Sequence, residues 1–223
     1  MSPTATTQEK LLDAALRLYA DRGVFQVSLA EIVREAGQRN ASAIHYHFGS
    51  RDQILMQLMA PYVGALRERR LALLERARRQ PDDDVRSVVD ALVRPVAELA
   101  RRGWRERAYL RIGLELVERS ERVAPELVAL LNESGAREAI ELLVARVPPL
   151  PADLLRWRLG ICVGFVGRAA ADRARDLERE SGATPLTDDE FTADLVDIYI
   201  GAITSPSCGL RVGSAQTDRP GLG

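Results

Sequence analysis

The chain has 223 residues, 46% apolar and 28% charged, with 31 basic against 32 acidic side chains and a formal net charge of −1. That is enough apolar material for one large or two smaller packed domains, and it excludes a chain too polar to fold. No apolar run approaches the roughly 18 residues of a membrane span, and the opening MSPTATTQEK lacks the hydrophobic segment of a leader, so a cytoplasmic protein is expected. Cys162 and Cys208 stand without metal-ligand spacing and read as free thiols, which leaves no metal and no cofactor expected.

In chain order, Thr6 and Glu9 form a capping box that opens a first helix. Leu12, Ala15, Leu16 and Tyr19 follow at helical spacing until Gly23 closes it. Ser28 and Glu31 form a second box, so another helix begins at Leu29, carries the stripe Leu29, Ile32, Val33 and Ala36, and ends at Gly37. Asn40 is the N-cap of a third helix over 41–47, with Ala43 or Ala41, Ile44 and Phe48 turned inward. Ser50 with Gln53 starts the fourth at Arg51. Two short helices joined by a glycine turn make a helix-turn-helix, which places one helix in a DNA groove. Its shared core is expected from Leu12, Leu16, Tyr19, Phe25, Leu29, Ile32, Ile44 and Phe48.

The near-zero net charge does not oppose DNA binding, because what matters is charge on the face that meets phosphate. Between Gln38 and Arg51 the only formal charges are Arg39 and Arg51, with no acid. Lys10 is the only lysine among the 31 basic residues, a bias that reads as base composition of the genome rather than phosphate chemistry.

The stretch KLLDAALRLYADRGVFQVSLAEIVREAGQRNASAIHYHFGSRDQILMQLM resembles the N-terminal DNA-binding region of the TetR family of bacterial transcriptional regulators, over residues 5–60. Two departures stand out. The family usually has one residue fewer between the turn glycine and the phenylalanine, here Gly37 and Phe48, and its usual aromatic three positions before that phenylalanine is His45 here. The resemblance implies a dimer on a near-palindromic operator, released by a small-molecule effector, with the two C-terminal helices forming the subunit interface. Asn40, Ser42 and Arg39, near the start of the recognition helix, are the base-reading candidates. Tyr46, His47, Ser28 and Arg51 are the phosphate candidates, and Ala41 and His45 complete the DNA-facing set.

Beyond residue 60 the pattern is helical almost throughout. The fourth helix is expected over 51–79, interrupted or kinked near Pro61. Further helices fall over 83–102, 105–119, 125–146, 152–180 and 188–204, the last opened by a Thr187/Glu190 capping box. The arginine-rich run 67–79 is diluted by Glu68 and Glu75 and interleaved with Leu71, Leu73 and Leu74, and reads as a solvated helix face. The tail from Ser205 is rich in Gly, Ser and Pro and is expected to be disordered. The expected architecture is therefore all-α: a helix-turn-helix domain over 5–65, an effector-binding and dimerisation domain over 66–204, and a tail over 205–223.

Two further sites follow. Leu159, Ile161, Cys162, Val163, Phe165 and Val166 alternate with Gly160, Gly164 and Gly167, so that helix permits close backbone approach, either to a second chain or within one subunit. Gly160, Val163, Gly164 and Gly167 are its interface candidates. Leu92, Val96, Leu99, Trp104, Tyr109, Leu110 and Leu114 exceed a single apolar stripe, lie near arginines, and are the candidates for a cavity taking an apolar or amphipathic effector. Both histidines, His45 and His47, lie in the DNA-facing motif two residues apart, so they neither share a metal nor assemble a catalytic set. The competing class is a helical dimeric adaptor that has lost DNA binding.

Overall fold

The computed structural model describes residues 6–38, 46–178 and 186–206, and those residues form helices with no strand among them. In chain order these are α1 (Thr7–Arg22), α2 (Leu29–Glu35), α3 (Arg51–Ala77), α4 (Val85–Ala100), α5 (Trp104–Glu118), a 3-10 turn (Ser120–Arg122), α6 (Pro125–Asn132), α7 (Ala136–Arg146), α8 (Ala152–Glu178) and α9 (Asp188–Thr204). The expected recognition helix over 41–47 lies largely outside the described residues, as do Arg39, Asn40, Ala41, Ser42 and His45.

The caps explain the boundaries. Thr6/Glu9, Ser28/Glu31 and Thr187/Glu190 form complete boxes in which each hydroxyl accepts the N3 amide and each glutamate accepts the cap amide. At α3 only half of that arrangement forms, Ser50 accepting from the Gln53 amide. Gly23 and Gly37 take positive φ values of 92° and 67° at the ends of α1 and α2, which other residues adopt only with strain.

Leu11, Leu16, Tyr19, Val24, Val27, Ile32, Phe48, Ile54, Leu55 and Met59 make the N-terminal core. Leu11, rather than the expected Leu12, is the fully buried member, and Leu12, Phe25 and Leu29 are partly buried around it. The same core takes in Ala108, Ile112 and Leu116 of α5 and Leu127 of α6, so the helix-turn-helix does not close on itself. A second core joins α3, α4, α7, α8 and α9 through Leu74, Val88, Val89, Val93, Leu143, Val166, Val196 and Tyr199.

Two expectations need correction. Pro61 does not interrupt α3, which continues as one helix to Ala77 with Pro61 on its exposed side. The single helix expected over 125–146 is two, because Gly135 takes φ +76° and ends the run between α6 and α7.

Candidate functional site

A cavity of about 150 Å³ lies among α3, α4, α5, α8 and α9, beside the α6–α7 break. Of the expected lining residues, Leu92, Val96, Leu110 and Leu114 are there. Leu99 is buried but does not line it, and Trp104 and Tyr109 face elsewhere. Trp104 meets two guanidinium groups, those of Arg17 and Arg105 at 4.1 and 4.8 Å from its ring centre, on the seam between α1 and α5. Tyr109 pairs with Tyr62 at 6.1 Å. Both aromatics follow the apolar side of α5 that serves the N-terminal core, which a count of apolar positions does not distinguish from the cavity side.

The walls are mostly aliphatic, and four residues with polar side chains stand among them: Tyr62, Arg70, Ser134 and Tyr199. Arg70 is only 4% exposed. Its Nε donates to the Ala91 carbonyl at 3.3 Å and its Nη1 to the Ser134 carbonyl, which the break at Gly135 turns toward it. Both partners are neutral. Desolvation holds the guanidinium down at about 10, so it remains a cation at neutral pH. No Asp or Glu lines the cavity. Glu138, whose field reaches Arg70, is paired with Arg67 at 3.0 Å. Tyr199 is 1% exposed and its hydroxyl has no hydrogen-bond partner among the described residues. Burial raises the Tyr199 hydroxyl and pushes that of Tyr62 up to about 12, so both are neutral donors.

Sequence reasoning missed Arg70 by treating 67–79 as one solvated face. The signal was present: Val63, Leu66, Arg70, Leu73 and Ala77 occupy one buried stripe of α3, and the arginine stands in an apolar register.

One helix connects this cavity to the helix-turn-helix. On α5, Leu110, Gly113, Leu114 and Val117 line the cavity, whereas Ala108, Ile112 and Leu116 belong to the N-terminal core. The Glu115 carboxylate accepts the Val24 amide at 2.7 Å, and its oxygens lie where a Cβ on Gly23 would come within 3.3 Å. Arg105 pairs with Asp13 across the same seam.

Among the residues expected to face DNA, Tyr46 is 86% exposed and sets its ring edge-on to His47 at 5.2 Å, while Phe48 anchors the segment in the core. Ser28 is exposed but its hydroxyl serves the cap, donating to Glu31 at 2.8 Å. The Ser28 amide, then the Ser28 hydroxyl and then Arg22 hold the Glu31 carboxyl down at about 2. Arg51 is half-buried and spends its Nη2 on the Val27 carbonyl at 2.8 Å. That contact positions the start of α2 against α3, a task the expectation of a phosphate donor did not include.

The interface candidates divide. Gly160 and Gly164 have no atom near the place of a Cβ, whereas Gly167 packs within its own subunit, 3.1 Å separating its Cβ position from Leu114 Cδ1. Val163 lines the cavity and remains partly exposed. Trp157, 64% exposed, joins Ile161 and Phe165 beside the two open glycines, and Ile198 and Gly201 are open on α9. Cys162 is a buried free thiol, and Cys208 lies outside the described residues.

A helix-turn-helix set on a larger helical body with an internal cavity defines a ligand-responsive DNA-binding regulator. Residues 11–58 match the bacterial regulatory proteins of the tetR family, and residues 90–202 match the tetracyclin repressor-like C-terminal domain. The chain is 38% identical over 184 residues to the HTH-type transcriptional regulator BetI of Rhizobium meliloti (strain 1021), covering 81% of this chain and 74% of that protein. It therefore belongs to the TetR family, whose members bind operator DNA as dimers and respond to small molecules. Among solved structures, a putative transcriptional regulator from Saccharomonospora viridis in complex with choline is similar at a TM-score of 0.51 and 24% identity, over 86% of this chain and 94% of that one. FadR from Bacillus subtilis in complex with stearoyl-CoA is similar at 0.50 and 16%, over 88% and 97%. No helix among the described residues is long and apolar enough to cross a membrane.

Proposed function

We propose that this regulator is a cytoplasmic repressor without catalytic activity, in which residues 5–65 bind DNA and residues 66–204 dimerise and hold the effector. The observation that carries the reading is the double duty of α5. One face lines the cavity and the other is built into the helix-turn-helix core, with Glu115 bonded to the turn after α1. An effector that fits only when α5 shifts selects the conformation that shift creates, and by linkage loses affinity when DNA holds the other. Occupation of the operator blocks transcription, and the effector relieves the block.

Two recognition helices on a two-fold axis require a near-palindromic site with half-sites about one or more DNA turns apart. Within each, Asn40, Ser42 and Arg39 read bases, and Tyr46 and His47 meet phosphate. The dimer forms through α8 and α9, where Trp157, Ile161 and Phe165 flank Gly160 and Gly164. The choline and stearoyl-CoA complexes of the two neighbours differ in charge and size, so what bears on this chain is that such a body accommodates ligands, and its own cavity sets the choice.

Selection of bound fragments from genomic DNA, followed by mobility shifts over a range of salt, tests the reading. A palindromic site whose occupancy falls with salt supports it, and no sequence-selective binding favours an adaptor. In sedimentation, Phe165→Glu should convert dimer to monomer. A monomeric unaltered protein at micromolar concentration removes the α8–α9 interface.

A further inference from the structure

We propose that the cavity receives a compact organic monoanion, a carboxylate on a small aromatic or branched apolar body, with the carboxylate held by Arg70 and the Tyr199 hydroxyl. This rests on the ligand-responsive reading and adds the chemical class of the ligand. Arg70 is a buried cation whose hydrogen-bond partners among the described residues are the Ala91 and Ser134 carbonyls, and the nearby Glu138 is paired with Arg67 instead. A buried charge without an opposite charge is among the costliest arrangements in a protein interior, and two neutral carbonyls orient it without neutralising it. Tyr199 adds a buried hydroxyl donor without an acceptor, lining the same cavity. A carboxylate supplies what both lack: one negative charge and two oxygens with several lone pairs, in the planar form a guanidinium matches.

The rest of the lining selects against other classes. Leu66, Leu92, Val96, Leu110, Leu114 and Val166 offer no polar contact, so the body of the ligand is apolar. No carboxylate is present for a quaternary ammonium, which would sit beside the fixed guanidinium. A neutral ligand satisfies Tyr199 and leaves Arg70 uncompensated. Size is limited as well: the free space of about 150 Å³ matches a single benzene ring, and the exposed Val117 and Val163 mark its side toward solvent. Gly113 and Gly167 keep this space open, since a Cβ on Gly113 comes 3.3 Å from the Tyr62 hydroxyl and one on Gly167 3.1 Å from Leu114.

Benzoate, benzamide and benzyltrimethylammonium share a ring and differ in charge, and calorimetric titration of the full-length protein with each, alongside operator mobility shifts, is the test. Benzoate should bind at least about tenfold more tightly than benzamide, the difference expected from one charge-assisted hydrogen bond, and the ammonium should not bind. Arg70→Met should erase the preference for benzoate. Because a buried arginine also supports the fold, Tyr199→Phe is the second variant, and it should weaken benzoate severalfold while its own melting stays cooperative. The proposal is overturned if benzamide or the ammonium binds as tightly as benzoate, if none of the three binds at millimolar concentration, or if benzoate affinity is unchanged in Tyr199→Phe. Benzoate binding that leaves operator affinity unaltered keeps the chemical assignment and sinks the regulatory reading. Release of the operator by the ammonium and not by benzoate does the reverse.

Discussion

The two faces of α5 are built to opposite standards. Toward α1 the helix is packed solid: Ala108, Ile112 and Leu116 are essentially unexposed, and Glu115 and Arg105 add polar ties to Val24 and Asp13. Toward α3 and α8 the same helix borders a cavity, with Gly113 and Gly167 withholding side chains that would narrow it. A solid contact transmits displacement, and a hollow one can be filled. The difference teaches that a regulator needs a stiff seam on the output side and unspent volume on the input side.

The contrast breaks most visibly if the packed face is opened. Ile112→Ala removes atoms from a close-packed site and should cost about 2–5 kcal/mol in urea unfolding. A loss below 1 kcal/mol, in units of that same scale, would mean the seam is looser than described. Glu115→Ala comes next. It leaves the Val24 amide without its acceptor, for about 1–3 kcal/mol, and should weaken the effect of any ligand on operator binding. Unchanged ligand coupling would detach Glu115 from the transmission.

On the hollow side the costs should be smaller. Leu114 is half-buried and already lacks neighbours on one side, so Leu114→Ala should cost only about 1 kcal/mol. A loss equal to that of Ile112→Ala would erase the distinction between the faces. Gly167→Ala should change stability by less still, because relief of the helical glycine penalty of about 1 kcal/mol offsets the push on Leu114. It should nevertheless reduce ligand affinity by narrowing the cavity, as read by titration. The smallest effect lies in acid. Glu31 is held at about 2 against an ordinary 4.5, so its cap contributes fully above pH 4.5 and is lost as pH falls through 2. Thermal midpoints of the unaltered chain and Glu31→Gln should converge over that window, and parallel curves would deny the linkage.

How much of this was legible in the sequence depended on whether the signal was local. Capping boxes are local, and the starts of α1, α2 and α9 follow from Thr6, Ser28 and Thr187. The positive-φ glycines at 23 and 37 are local too. Gly135 carried the same signal, but between two apolar stretches it was read as part of one helix, and the carbonyl it directs to Arg70 went with it. The cavity was half legible. Leu92, Val96, Leu110 and Leu114 were expected, but Tyr62 and Arg70 come from α3 and Tyr199 from α9, distant in sequence, and only tertiary packing brings them to the same cavity. Trp104 and Tyr109 were misplaced because helical spacing records that a residue is covered without recording what covers it. The two open glycines on α8 pose the same problem in reverse, since a single chain leaves their neighbours unstated.

The unbroken course of α3 through Pro61 has a mechanical consequence. Ile54, Leu55, Leu58 and Met59 hold its beginning in the N-terminal core, and Val63, Leu66 and Arg70 lie along the cavity further on. At 1.5 Å per residue, Arg51 stands roughly 28 Å along the helix axis from Arg70. A tilt of about 5° pivoting at Arg70 therefore carries the Arg51 end about 2.5 Å. Doubled across a two-fold axis, the change in half-site separation is about 5 Å, larger than any hydrogen bond to a base edge can follow. A helix that runs unbroken from the cavity to the N-terminal core turns a tilt of a few degrees at one end into loss of register on DNA at the other.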